Sequence, residues 1–269
     1  MHRVLLPAPF LTDWIIKMKI AILGAGAFGT ALGGILARNG YDIDYYDSKI
    51  MDEPLREVLD DAEMILLAVP SKAVPYLLPH LPKKKPLIVA TKGILTDQTF
   101  KDFYDYMSLS GPGFAVDIKA HKQTKLTATD KRIIEMFGTD YLTFDTTDDE
   151  KGVLMCGALK NLYAMLAGIL GLKAVTEKHE KFLKDVEKEM KLILAANGAR
   201  AETVDLVCGK GDLRITCNYP SRNFEFGDKL KDNPDYQPEK TVEGISALKK
   251  IKRGEIEVPE KAVLLLDLI

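Results

Sequence analysis

Three glycines in six residues, Gly24-Ala25-Gly26-Ala27-Phe28-Gly29, follow an apolar strand pattern at 18–23 and open a helix pattern at 27–39. In that context each glycine has a separate task. Gly24 allows the tight turn, Gly26 lets a pyrophosphate approach the backbone, and Gly29 lets the helix pack closely on the strand. The free N–H groups and partial positive charge of the helix start then face the phosphates. A strand, this turn and a helix predict the first unit of a parallel α/β sheet that binds a dinucleotide.

The rest of the chain fits that frame. Short apolar runs at 42–47, 63–69, 86–90 and 107–110 alternate with helical patterns at 27–39, 52–60, 71–81 and 97–106, as a parallel sheet requires. A further strand pair, 124–129 and 141–146, brackets a short helix near 130–137. After about residue 148 strand patterns stop, and helices are expected at 149–170, 176–196, 201–207, 222–231, 238–252 and 258–268. The predicted fold is α/β: a Rossmann-like N-terminal domain with a mostly parallel sheet (18–148), followed by an all-helical C-terminal domain (149–269). Residues 1–17, broken by Pro7 and Pro9 and interrupted by Asp13, are expected to be a dispensable extension, with the fold beginning at Met18.

Composition excludes more than it identifies. Lys and Arg total 37 against 39 Asp and Glu, a formal charge of −2, which argues against a dedicated nucleic-acid binder. No run of 18 uninterrupted apolar residues offers a membrane span. Cys156, Cys208 and Cys217 are odd in number and lack C-x-x-C spacing, so free thiols and a cytoplasmic location are expected. His2, His80, His121 and His179 lack metal-ligand spacing, and a metal-free mechanism is expected. The charged stretch 176–191, with Glu177/Lys181, Glu180/Lys184 and Glu187/Lys191 at i,i+4, reads as a solvated amphipathic helix.

Asp47 closes the second strand, where an acidic side chain can hydrogen-bond the adenosine ribose and repel a 2′-phosphate. NAD is therefore the preferred cofactor and NADP the second. Ala68-Val69-Pro70-Ser71, Thr91-Lys92-Gly93 and Ser110-Gly111-Pro112-Gly113-Phe114-Ala115 lie at carboxyl ends of later strands, where ligands bind in an open sheet. Together with Gly157-Ala158-Leu159-Lys160-Asn161, Gly209-Lys210-Gly211-Asp212-Leu213-Arg214-Ile215-Thr216-Cys217, Ser221-Arg222-Asn223 and Val242-Glu243-Gly244, these stretches resemble the NAD(P)-dependent glycerol-3-phosphate dehydrogenase family.

The resemblance implies reversible hydride transfer between NAD(P)H and dihydroxyacetone phosphate, feeding glycerophospholipid synthesis. It implies Lys160 as proton donor, with Lys92 and Asp212 as its catalytic partners. Substrate contacts are expected from Lys92, Gly111, Gly113, Asn161, Thr216, Ser221, Arg222 and Asn223, with the Arg222 guanidinium gripping phosphate. Cofactor contacts are expected from Gly24, Gly26, Ala27, Phe28, Gly29, Asp47, Pro70, Lys92, Ala115, Arg222, Val242 and Glu243. Gly113 stands where the family commonly has Ser or Thr. The alternatives are a ketopantoate reductase-like or other 3-hydroxyacid dehydrogenase-like enzyme, and a non-catalytic NAD(P)-sensing protein. The apolar run Ala262–Leu266 needs cover from its own core or a second subunit, and a homodimer is expected.

Overall fold

A computed structural model describes residues 17–49, 54–93, 96–218 and 221–268. Nearly all of the N-terminal extension, residues 1–16, lies outside the described residues. Seven strands form one sheet: β1 (Lys19–Leu23), β2 (Asp42–Tyr46), β3 (Met64–Leu67), β4 (Leu87–Val89), β5 (Tyr106–Ser110), β6 (Thr124–Ala128) and β7 (Leu142–Thr146). Their order is β2-β1-β3-β4-β5-β6-β7, parallel throughout except where β6 runs against β5. The chain leaves β1 toward β2 and returns to β3 on the other side of β1. The order therefore reverses at β1, and a crevice opens above the carboxyl ends of β1 and β3.

Both faces of the sheet are covered, so the central strands read as continuous apolar runs rather than alternating ones. Ile20 and Ile22 of β1 pack on one face with Leu32, Ile35 and Leu36 of α1 (Ala27–Arg38). Ala21 and Leu23 pack on the other with Val58 and Leu59 of α2 (Leu55–Asp61). The remaining helices of this half are α3 (Val74–Leu77), α4 (Ala115–Lys119) and α5 (Lys131–Phe137). Thr124 to Ala128 and Leu142 to Thr146 pair as expected around α5, whose first turn is capped by the Asp130 carboxylate accepting from Arg132 N.

The helical half is built on α6 (Glu150–Ile169), in which every residue from Gly152 to Gly168 is buried. A helix apolar all round must be surrounded, and α7 (Glu177–Ala196), α8 (Asp212–Thr216), α9 (Arg222–Asp232) and α10 (Glu243–Lys252) enclose it, with α11 (Val263–Leu266) resting on α7. Among the described residues α6 alone is long and apolar enough to cross a membrane, and 94% of its most apolar window is buried inside the protein. The amphipathic pattern of α7 is present, with Phe182, Leu183, Val186 and Met190 buried, but the ion pairs differ from those expected: Lys181 pairs with Asp185, Glu180 with Arg214 and Lys191 with Asp205.

Several helical stretches differ from the sequence reading. The helix expected over 71–81 is broken into a 3₁₀ turn, α3 and a second 3₁₀ turn, because Pro75 and Pro79 each remove a backbone donor. Residues 97–106 hold only a 3₁₀ turn, Asp97–Phe100; Phe100 and Phe103 are buried against the sheet, and Tyr106 is needed by β5 opposite Leu87. The 238–252 helix starts at Glu243, and the 258–268 helix contracts to α11. In place of a helix at 201–207 there is a 3₁₀ turn, Ala201–Asp205, and then a π turn, Val207–Gly211, leading into α8.

Candidate active site

Lys160 sits in the middle of α6, 3% exposed, among buried residues on every side. An isolated ammonium there would be costly, and the fold supplies a counter-ion. Asp212 Oδ1 lies 2.5 Å from Lys160 Nζ. The ammonium also donates to Thr216 Oγ1 at 3.2 Å, and that hydroxyl donates to Asp212 Oδ1 at 3.3 Å. Asp212 and Thr216 share a face because α8 places them four residues apart.

The other oxygen of Asp212, Oδ2, lies 3.4 Å from Lys92 Nζ. One buried carboxylate therefore stands between two ammonium groups from different halves of the chain. Lys92, on the loop after β4, also donates to the Gly111 carbonyl at 3.1 Å and lies 5.6 Å from the Phe28 ring centre. Burial is the main influence on Lys160, and the Lys92 charge adds to it against the pull of Asp212; the ammonium pKa falls to about 7. A lysine so placed can give up or take a proton at neutral pH.

Around this cluster lies a cavity of 510 Å³. Lys92, Lys160, Asn161, Thr216, Ser221, Arg222 and Asn223 line one part, and Gly26, Ala27, Phe28, Pro70, Gly113, Phe114 and Ala115 another. Asn161 Nδ2 donates to the Gly157 carbonyl, and Asn161 Oδ1 accepts from Asn223 Nδ2 at 2.8 Å. Asn223 Oδ1 in turn accepts from Gly244 N at 3.0 Å. This chain of amides joins α6, α9 and α10. Ser221 caps α9 by accepting from Phe224 N and donates its hydroxyl to the Thr216 carbonyl. Arg222 is exposed, and no ion pair holds its guanidinium to a described residue, which leaves it available for an anion.

The cavity continues past Gly26, Ala68, Val69, Pro70 and Thr241 into a second one of 720 Å³, lined also by Gly24, Asp47, Ser48, Lys49, Lys72 and Tyr76. The glycine-rich turn is built as a cradle. Gly24 has φ +106°, and a Cβ there would lie 2.7 Å from the Ala68 carbonyl oxygen. A Cβ at Gly29 would lie 2.0 Å from the Gly24 oxygen, so the turn and α1 can touch only without it. At Gly26 a Cβ would meet nothing of the protein within 4 Å, so the space beside it is open to a ligand. The start of α1 has neither a side-chain cap nor an acidic residue in its first turn, which leaves its N–H groups to an anionic ligand. These residues fit a dinucleotide.

Several expected residues have additional or different surroundings. Asp47 lines the cavity, and its carboxylate also accepts from Ala25 N at 3.2 Å and Lys49 N at 3.0 Å, fastening the glycine-rich turn to the end of β2. Gly111 meets Lys92 through its carbonyl, and Val242 is 7% exposed beside the helical core. Glu243 accepts from Ser71 Oγ at 2.5 Å and Ser71 N at 3.2 Å, tying α10 to the loop after β3. Lys250, on the same helix, donates to the Gly93 carbonyl next to Lys92. Sequence reasoning passed over Ser71 as a tether and Lys250 altogether; Ser71 directly follows the Val69-Pro70 pair at the end of β3, whereas a lysine one helix away carries no local signal.

Residues 149–259 match the family model described as NAD-dependent glycerol-3-phosphate dehydrogenase C-terminus. The chain is 34% identical to glycerol-3-phosphate dehydrogenase [NAD(P)+] of Leptospira biflexa, over 79% of this chain and 79% of that one. It is 33% identical to the enzyme of the same description from a Ruegeria species, over 84% and 85%. A crystal structure of glycerol-3-phosphate dehydrogenase from Coxiella burnetii superimposes with a TM-score of 0.75 at 26% identity, covering 94% of each chain.

Proposed function

The chain belongs to the NAD(P)-dependent glycerol-3-phosphate dehydrogenase family and is an oxidoreductase of that family, and from that premise we propose how its own residues carry the reaction. The observation that carries the reading is the Lys160–Asp212–Lys92 cluster, opening onto a cavity that runs continuously to the glycine-rich turn. Residues 18–148 bind the cofactor, and residues 149–269 supply most of the catalytic groups.

A bound nicotinamide dinucleotide supplies or accepts the hydride. Arg222, exposed on the cavity wall, grips the phosphate of dihydroxyacetone phosphate as a planar fork. Lys92 polarises the carbonyl, its ammonium held between the Gly111 carbonyl and Asp212. Lys160 donates a proton to the oxygen as it gains negative charge, and in the reverse direction it removes the hydroxyl proton. Asp212 fixes the orientation of both ammonium groups through its two oxygens. Asn161, Thr216, Ser221 and Asn223 shape the cavity for the small polar substrate, with Gly113 bounding it from the β5 loop and Gly111 acting through its carbonyl on Lys92.

For the cofactor, Asp47 favours NAD over NADP, because its charge stands where a 2′-phosphate would be repelled. Gly24, Gly26, Ala27, Phe28, Pro70, Ala115 and Glu243 complete the proposed cofactor wall, while Gly29 supports it from behind the turn and Val242, packed in the helical core, supports it through the neighbouring Glu243. A homodimer is supported by the exposed Val263 and Leu266 beside the buried Ala262 and Leu265, and a cytoplasmic location by three buried free thiols.

The direct test follows NADH absorbance with dihydroxyacetone phosphate and, separately, ketopantoate, then repeats it with NADPH. Turnover with dihydroxyacetone phosphate and a higher kcat/KM for NADH is expected. Turnover only with ketopantoate would refute the substrate, and a clear NADPH preference would refute the role of Asp47.

A further inference from the structure

The carboxylate that pairs with Lys160 does not stand on an ordinary helix. Asp212 follows the π turn Val207–Gly211, and its own N–H bonds the Val207 carbonyl five residues back. The turn's N-terminal flank is Leu206, an extended residue whose side chain makes no capping hydrogen bond. Its first N–H groups therefore need acceptors from elsewhere.

Those acceptors come from the far end of the sheet. Asp145 Oδ2 accepts from Val207 N at 3.0 Å, and Thr127 Oγ1 accepts from Cys208 N at 3.0 Å. Thr127 in turn donates its hydroxyl to Asp145 Oδ1 at 2.5 Å. The two side chains can meet because β6 and β7 pair in parallel with Thr127 opposite Asp145. Thr127 is fully buried. A carboxylate at the start of the turn is also favoured by its partial positive charge.

We propose that Thr127 and Asp145 are positioning residues for the reaction: as a cap supplied by the sheet, they hold the π turn in the register that aims Asp212 at Lys160 and Lys92. A π turn carries one residue more than an α turn, so its relaxation to α-helix would rotate α8 by about 100°. Asp212 would then leave the lysines, although neither Thr127 nor Asp145 touches them. Binding of the dinucleotide, at the other end of the crevice, does not depend on this cap.

The proposal rests on the assignment of the reaction to Lys160, Asp212 and Lys92, and its test separates the two. Wild type, Asp145→Ala, Asp145→Asn, Thr127→Val and Thr127→Ser are compared by NADH affinity from fluorescence titration and by pH profiles of kcat/KM for glycerol 3-phosphate oxidation. Asp145→Asn and Thr127→Ser each retain an acceptor for the turn's N–H groups. The expected result is that Asp145→Ala and Thr127→Val lose about tenfold or more in kcat through misplacement. Their apparent pKa moves below that of wild type by about one unit as Lys160 loses its counter-ion. NADH affinity stays within twofold, and the Asn and Ser variants retain most of the activity and the wild-type profile. The proposal is overturned if the profile and kcat per folded molecule stay at wild-type values in Asp145→Ala and Thr127→Val, whatever their melting temperatures. It is equally overturned if Asn and Ser fail to rescue, including the case in which the Ala and Val variants do not fold. Wild-type protein inactive with glycerol 3-phosphate would instead overturn the assignment of the reaction itself.

Discussion

In the proposed reaction Lys160 carries the proton transfer. Its counter-ion, the second lysine and its burial act together, and removal of the amine should be felt in turnover rather than in cofactor binding. Lys160→Ala is expected to lower kcat by about 10²-fold or more, with the NADH dissociation constant within a few-fold of wild type; stopped-flow and fluorescence titration check the two halves of that statement. The pKa of about 7 fixes the sign of the pH dependence. With Lys160 as the proposed base, oxidation needs the neutral amine, so its kcat/KM should rise with pH and level off above about 7. Reduction needs the ammonium and should decline over the same range. The same group links pH to stability: between about 7 and the ordinary lysine value of 10.5 the folded chain holds fewer protons at this site than the unfolded chain, so this contribution to stability grows with pH there. Arg222 makes a different prediction. As an exposed phosphate grip it should, on change to Ala, raise the KM for dihydroxyacetone phosphate about tenfold or more, a larger effect than on the NADH affinity to which it is also expected to contribute; an unchanged KM would remove it from the phosphate site.

At the scale of elements, the site depends on how α6 is anchored. Asp149 caps it by accepting from Gly152 N at 3.0 Å, and the same carboxylate accepts from Arg200 N at 2.9 Å and Thr203 Oγ1 at 2.5 Å. Asp149 is 7% exposed. Its replacement by Ala leaves buried donors unsatisfied and should cost about 2–4 kcal/mol, measurable as a lower midpoint in urea with an unchanged slope. This anchor was outside the sequence reading, which counted Asp149 as the first residue of the helix expected over 149–170, where it is the cap. The π turn was illegible for a firmer reason. Nothing in Val207-Cys208-Gly209-Lys210-Gly211 encodes an extra residue per turn; the acceptors that hold it lie on β6 and β7. The broken helix at 71–81, in contrast, was written in Pro75 and Pro79.

For the whole molecule, cofactor binding and folding are coupled. The cradle around Gly26 exists only when β1, α1 and the loop after β3 are in place, so NADH binds the folded chain alone. NADH at a hundred times its dissociation constant should raise stability by about 2.7 kcal/mol, seen as a higher melting temperature; no rise would argue against dinucleotide binding. The near-neutral charge of −2 is reconciled at this scale as well. Lys92, Lys160 and Arg222 gather at one cavity with Asp212 and Glu243 as the acidic groups beside them, a local balance that a sum over the chain cannot reveal. Glu243 and Lys250 of α10 bond to the loops after β3 and β4, so the two halves meet at the site as well as through their cores.

The residues by themselves determined most strand positions, the glycine-rich turn and the division into sheet and helices, whereas the candidate groups of the site came from the resemblance of several stretches to one family. The first three follow from local periodicity and backbone conformation, which are read within a few positions of one another. Only the tertiary structure decided that Asp212 lies between Lys160 and Lys92, that Asp47 fastens the turn, and that the sheet caps the π turn. Each of these joins groups far apart in the chain: their energies arise from burial and from hydrogen-bond donors that must find partners, and both exist only once the chain has closed.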